Sequence, residues 1–240
     1  MRNTILIRGT LGVAAIALAA TACGSAAGSS GSGASGSHSA PASSMPSMSP
    51  SQAAGGVTNT AAAQLYAGLE QLLREHVDLT ANVVQTAITR GPSSAQTKAA
   101  LAALDQNTQG LGRAIGSVYG SAAQAQFLKL WRAHIGYFVN YTLGVATGDQ
   151  AKVATAKKDL AGYISQFSVF IAGATKLPKT AVAADLQGHV STLETAINAI
   201  VAKSPEASAA LLAAENHMAG TGAVLAQGIA ASMPAKFASS

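Results

Sequence analysis

The stretch Leu65-Tyr66-Ala67-Gly68-Leu69-Glu70-Gln71-Leu72-Leu73-Arg74-Glu75-His76-Val77-Asp78-Leu79-Thr80-Ala81-Asn82-Val83 decides the fold. Leu65, Leu69, Leu72, His76, Leu79 and Val83 follow one another at intervals of three and four, which is the spacing of one stripe along an amphipathic helix. A histidine stands inside that apolar stripe. Its surroundings recur twice downstream: Leu73-Arg74-Glu75-His76-Val77 aligns with Trp131-Arg132-Ala133-His134-Ile135 and with Leu186-Gln187-Gly188-His189-Val190, the histidines lying 58 and 55 residues apart.

Punctuation between the periodic segments gives the rest of the architecture. Gly91-Pro92-Ser93, Gly120-Ser121, Gly148-Asp149, Lys176-Leu177-Pro178-Lys179 and Lys203-Ser204-Pro205 are turn signals. They divide the chain into six helices near 60–90, 94–118, 121–147, 149–174, 180–202 and 205–232, with Ser121, Asp149, Thr180 and Ser204 at the positions expected of N-caps. The helices pair into three hairpins that read as copies of one unit. Among the second helices, Ala103 to Gly112 matches Ala213 to Gly222, including the pairs Asp105/Glu215 and Asn107/His217. Connections this short predict an all-α, up-and-down bundle over residues 60–236, with 237–240 as a tail. Charged residues are 10 % and aromatics 5 % of the chain, so the core should consist mostly of small aliphatic side chains.

The first 59 residues have another character. Arg2 and Arg8 flank a short start, and Leu11 to Ala20 is an apolar run of signal-peptide length, too short to span a bilayer comfortably. The run ends in Leu18-Ala19-Ala20-Thr21-Ala22-Cys23-Gly24, which resembles the lipobox of bacterial lipoproteins. That resemblance implies a signal peptide over 1–22 and a lipidated Cys23 as the mature amino terminus. It also implies a stable anchor on the extracytoplasmic side of the cell membrane, because two acyl chains hold where one does not. Residues 24–59 are Gly, Ser, Ala and Pro with few large apolar side chains, the composition of a tether. As a flexible coil it reaches on the order of 30 Å. His38, Met45 and Met48 within it are soft copper ligands in principle, but too few to outweigh plain low complexity.

The net charge is +5, or +3 without Arg2 and Arg8, and the basic residues are scattered. Nucleic-acid binding needs a concentrated basic face and is not expected. The one cysteine, Cys23, excludes an internal disulfide.

The histidines carry the chemical question. His134 lies on the stripe Phe127, Leu130, His134, Phe138, Tyr141 and Val145; His189 lies on Val182, Leu186, His189, Leu193, Ile197 and Ile200. His217 stands one position off the row Leu211, Met218, Leu225, Ile229. A buried imidazole has to be hydrogen-bonded or coordinated. Two readings follow. In one, His76, His134, His189 and His217 converge on a metal ion, since a bundle aims equivalent seam positions at its axis. In the other, the histidines and Asn107 bond to one another as a structural layer, and the domain is a non-enzymatic scaffold or a protein- or small-molecule-binding module.

Spacing narrows the metal. Glu-x-x-His pairs of di-iron bundles are missing, since Leu73, Trp131, Leu186 and Ala214 stand three before the histidines; Thr80, Phe138, Leu193 and Thr221 stand four after. An imidazole set, with Met218 or Tyr141 near, suits copper or zinc. No catalytic motif is complete: Gly33-Ala34-Ser35-Gly36-Ser37 lacks the last glycine of a nucleophile elbow, and carboxylates such as Asp78, Asp105 and Glu215 read as solvated or capping groups. An enzyme is not expected.

Glu75-His76-Val77, Trp131-Arg132-Ala133-His134-Ile135 and Gly116-Ser117-Val118-Tyr119-Gly120 resemble a group of poorly characterised exported helical lipoproteins of actinobacteria and spore-formers, over about residues 62–236. The resemblance implies location and fold rather than activity. Some relatives carry the label copper amine oxidase, whose cofactor motif is Thr-x-x-Asn-Tyr-Asp/Glu. Here Tyr137-Phe138-Val139-Asn140-Tyr141-Thr142 lacks both the threonine and the acid, and sits in an expected helix.

Overall fold

The computed structural model describes residues 60–237. The signal sequence, Cys23, the tether with His38, Met45 and Met48, and the last three residues lie outside them. Six long helices fill the described chain: α1 (Ala61–Arg90), α2 (Ala95–Tyr119), α3 (Ser121–Thr147), α4 (Gln150–Thr175), α5 (Lys179–Val201) and α6 (Ala207–Ser232), followed by a single turn, α7 (Pro234–Phe237). No strand occurs among the described residues, and none of their helices is long and apolar enough to cross a membrane.

The helix ends show which local signals acted. Asp149 caps α4 as expected, its carboxylate accepting from the Lys152 amide at 2.9 Å. Thr60 and Ser94 cap α1 and α2 in the same way. The other three expected caps are corrected. Ser121 is already helical behind Gly120, whose φ of 89° suits a residue without a side chain. Thr180 lies inside α5, which starts behind Pro178. Ser204 accepts from the Glu206 amide in a turn ahead of α6.

Connections of one to five residues make each long helix run back along the one before it. The largest contact is between α1 and α6, which closes the ring. Inside that ring α1, α3 and α5 also touch one another in all three pairings. These are the three helices that carry His76, His134 and His189, so the first helix of every expected hairpin faces the common axis.

Close approach depends on small residues. A Cβ on Gly222 of α6 would stand 2.9 Å from the Glu70 Cα and 3.0 Å from its nitrogen, atoms that cannot swing aside. Gly136, exposed on α3, has nothing within reach. Gly222→Ala is therefore expected to lose about 1–3 kcal/mol through overpacking. Gly136→Ala is expected to gain about 0.5–1 kcal/mol from helix propensity alone. Thermal unfolding followed by circular dichroism reads both. Equal shifts of the same sign would contradict the packing described.

Candidate metal centre

Each histidine of the trio reaches the axis because its own stripe is buried. His76 follows Leu69 and Leu73, His134 follows Phe127 and Trp131, and His189 follows Val182 and Leu186, all buried. The three side chains are 0–2 % exposed. Their ring centres are 5.4 Å (His76–His134), 6.1 Å (His76–His189) and 6.1 Å (His134–His189) apart. One nitrogen from each ring lies within 4.8 Å of the other two.

Those dimensions suit one ion. Three imidazole nitrogens each about 2.0 Å from a metal, with ring centres roughly 1.1 Å farther out, stand about 5.5 Å apart centre to centre. The observed separations bracket that figure at one end and exceed it by a few tenths of an ångström at the other. Three nitrogens about 2.0 Å from one ion stand about 3.5 Å apart, so coordination draws the rings closer than the 4.8 Å within which their nitrogens lie. A buried three-histidine group here can hold a metal ion.

The hydrogen-bond inventory points the same way. Neither ring nitrogen of His76, His134 or His189 has a hydrogen-bonding partner in the protein, although all six atoms are buried. The Trp131 carbonyl lies near enough to His134 to favour its charged form slightly, but not in hydrogen-bonding geometry. A buried polar group without a partner costs about 1–3 kcal/mol; an ion taking one nitrogen from each ring would satisfy three of the six. Burial holds all three rings neutral, the form that coordinates: His76 is pushed down to about 4 and His189 to about 3. His134 falls well below the usual imidazole range, through burial first and then the neighbouring His76 and His189.

Aromatic rings wall the layer. Tyr163 of α4 stacks on His134 with centres 4.6 Å apart and planes 18° from parallel. Trp131 meets His134 edge-on at 4.6 Å and His76 at 4.9 Å. The Tyr163 hydroxyl and the Trp131 Nε1 are buried without protein partners as well, and burial pushes the Tyr163 hydroxyl well above the usual phenol range. The sequence reading missed Tyr163. Its only signal was the Leu160, Tyr163, Phe167 spacing, which reads equally as plain core.

Three expectations are corrected. His217 does not join the trio: it is a quarter exposed, and its Nε2 lies 3.0 Å from the Asp185 carbonyl and 3.8 Å from the Asp185 carboxylate. Asn107 does not form a layer with the histidines; its amide donates to the Leu72 carbonyl and to Glu75, each at 2.9 Å. Tyr141 turns away to donate to Asn198 at 3.0 Å. Met218 is buried and shares a cavity wall with His189. Asp105 is tied at the surface to Arg132, 2.7 Å away, which holds its carboxyl below the usual range.

Compared with models of known protein families, with curated proteins and with solved structures, the chain matches none.

Proposed function

We propose that this protein is a copper-binding lipoprotein, anchored through Cys23 on the extracytoplasmic side of the membrane, and that the ion it takes is Cu(I), held by His76, His134 and His189. The observation that carries the reading is the layer of three neutral imidazoles whose buried nitrogens bond to nothing else in the protein.

Charge argues for the monovalent ion. The metal-binding group contains no thiolate and no carboxylate, so the ion's whole charge enters a buried, aromatic-walled layer. The cost of transferring charge into a low dielectric grows as its square, making a divalent ion about four times as expensive as a monovalent one. Imidazole is a ligand of copper and zinc alike, and the missing counter-charge disfavours Zn(II). What a bound ion supplies is cohesion among α1, α3 and α5; the residues exclude water and keep the nitrogens unprotonated.

Competition of the reduced full chain against a chromophoric Cu(I) chelator tests this. One equivalent of Cu(I) per chain is expected, with zinc binding at least a hundredfold weaker. His134→Leu should lose at least a hundredfold in Cu(I) affinity while keeping its helical circular dichroism. Unchanged copper uptake in a folded His134→Leu chain, or tighter binding of Zn(II) than of Cu(I), rejects the assignment.

A further inference from the structure

An ion bound by side chains this deeply buried needs a way in, and the three sides of the layer are not equivalent. Directly before the histidines stand Glu75, Ala133 and Gly188. The glycine makes room for a neighbour: a Cβ on Gly188 would stand 2.6 Å from Cε1 and 3.1 Å from Nε2 of His217, whose ring would have to shift. Among the described residues the one imidazole outside the trio therefore rests one residue from one of its members, and a charge on it is felt at His189.

Asp185, which His217 contacts, borders two adjoining spaces. A groove of about 250 Å³ between α5 and α6 is lined by Ala181, Val182, Asp185, Thr221, Val224 and Leu225, with Ala181 and Val224 exposed. Behind it lies a cavity of about 20 Å³ that has His189, Trp131 and Met218 in its wall. Groove and cavity share Val182, Asp185, Thr221 and Leu225. A cavity of that size admits roughly one water-sized particle, which is also the scale of a bare metal ion. Among the side chains shared by both, Asp185 alone carries charge. Its carboxylate is fixed by the Thr221 hydroxyl, which donates to it at 2.9 Å, with His217 on the other side.

Building on the copper reading, we infer that the α5–α6 groove is the route by which the cation reaches the trio, and that Asp185 and His217 are its transient ligands on the way. Asp185 supplies the negative charge the inner layer lacks, which draws a cation into the groove. If Nε2 of His217 donates to the Asp185 carbonyl, its Nδ1 lone pair is left to bind the ion. Transfer inward then exchanges one imidazole for another, His217 for His189. At no stage does the ion stand without a ligand. Groups that act only along a path change how fast the ion arrives and leaves, and by the same factor in both directions.

The chain contains a single tryptophan, Trp131, which touches the trio, so its fluorescence reports arrival. Stopped-flow mixing of Cu(I) with the reduced full chain is compared for wild type, Asp185→Asn and His217→Gln. Slowing of uptake by tenfold or more in either variant, with equal slowing of release and unchanged equilibrium affinity, is the expected result. Wild-type rates in both variants overturn the route while leaving the trio intact as the binding site. Loss of equilibrium affinity at an unchanged uptake rate also overturns it, because the residues would then belong to the final site. A wild-type chain whose fluorescence ignores Cu(I), and which takes up none, overturns both readings together.

Discussion

Lowering the pH from 7 to 4 is expected to unfold the metal-free bundle. In the folded chain burial holds His76 near 4 and His189 near 3, with His134 also well below its ordinary range, while all three return to about 6.5 on unfolding. Below pH 6.5 the unfolded chain therefore binds protons that the folded chain refuses. Stability is fully present above that pH and is lost as the pH falls towards the folded values. At about 1.4 kcal/mol per proton and pH unit, His76 and His189 together withdraw roughly 4 kcal/mol by pH 5 and roughly 6 kcal/mol by pH 4, and His134 adds in the same direction. A domain's whole stability is about 5–15 kcal/mol, so the transition should come before any of the three titrates in place. Of the shifted carboxylates, Asp105, held low by Arg132, sits on the exposed surface where such pairs are worth little, and Glu215, raised by burial and by Asp78, acts in the opposite direction. Helical circular dichroism against pH should show one cooperative loss between pH 6 and 4. Saturating Cu(I) should move it downward by a pH unit or more, since a ligand of the native state adds stability by mass action. A metal-free chain still folded at pH 4 would mean that the imidazoles have partners or water that their burial hides.

Much of this site was legible before any coordinate. Three-and-four spacing put His76, His134 and His189 each inside an apolar stripe, and their 55–58-residue recurrence put them at corresponding places on first helices, which short connections then turned to one axis. What local pattern does not carry is the side chain that completes the layer from elsewhere. Tyr163 faces His134 because α3 and α4 pack side by side, a fact of tertiary pairing, and its spacing to Leu160 and Phe167 is that of any core residue. His217 was misplaced for the opposite reason. Helix α6 is so rich in Ala and Gly that one position off the main row still looks like seam, and only the missing Cβ of Gly188 shows where that ring rests. The cap errors at Ser121, Thr180 and Ser204 have a related cause. Gly120 and Pro178 set the backbone for a helix start by their own dihedral preferences, which left Ser121 and Thr180 no capping role, while Ser204 accepts from the Glu206 amide in the turn ahead of α6.

Replacing all three axial histidines by leucine is expected to make the metal-free protein more stable, not less. Leucine is close to histidine in volume, so the swap costs less than about 1.5 kcal/mol per site in packing. It also forfeits ring contacts such as the Tyr163 stack on His134, worth about 0.5–1.5 kcal/mol each. Against this, each replacement removes two buried nitrogens that no protein group satisfies, at about 1–3 kcal/mol apiece. The balance for the triple variant is a gain on the order of 3 kcal/mol, which in a domain of this size raises Tm by roughly 6–12 °C. Because the same substitutions delete the depressed imidazoles, the acid transition should vanish from the pH 4–6 window. Copper binding should vanish with it. This combination separates the two roles a buried histidine can have. Side chains kept for packing or internal hydrogen bonds lose stability when made apolar, as happens when one partner of a satisfied pair is removed. Side chains kept for a ligand hold the metal-free fold below the stability it could reach, and recover that difference only when the ion is bound. A triple variant that melts below the metal-free wild type would place His76, His134 and His189 in the first class and leave the axis of this bundle a structural layer.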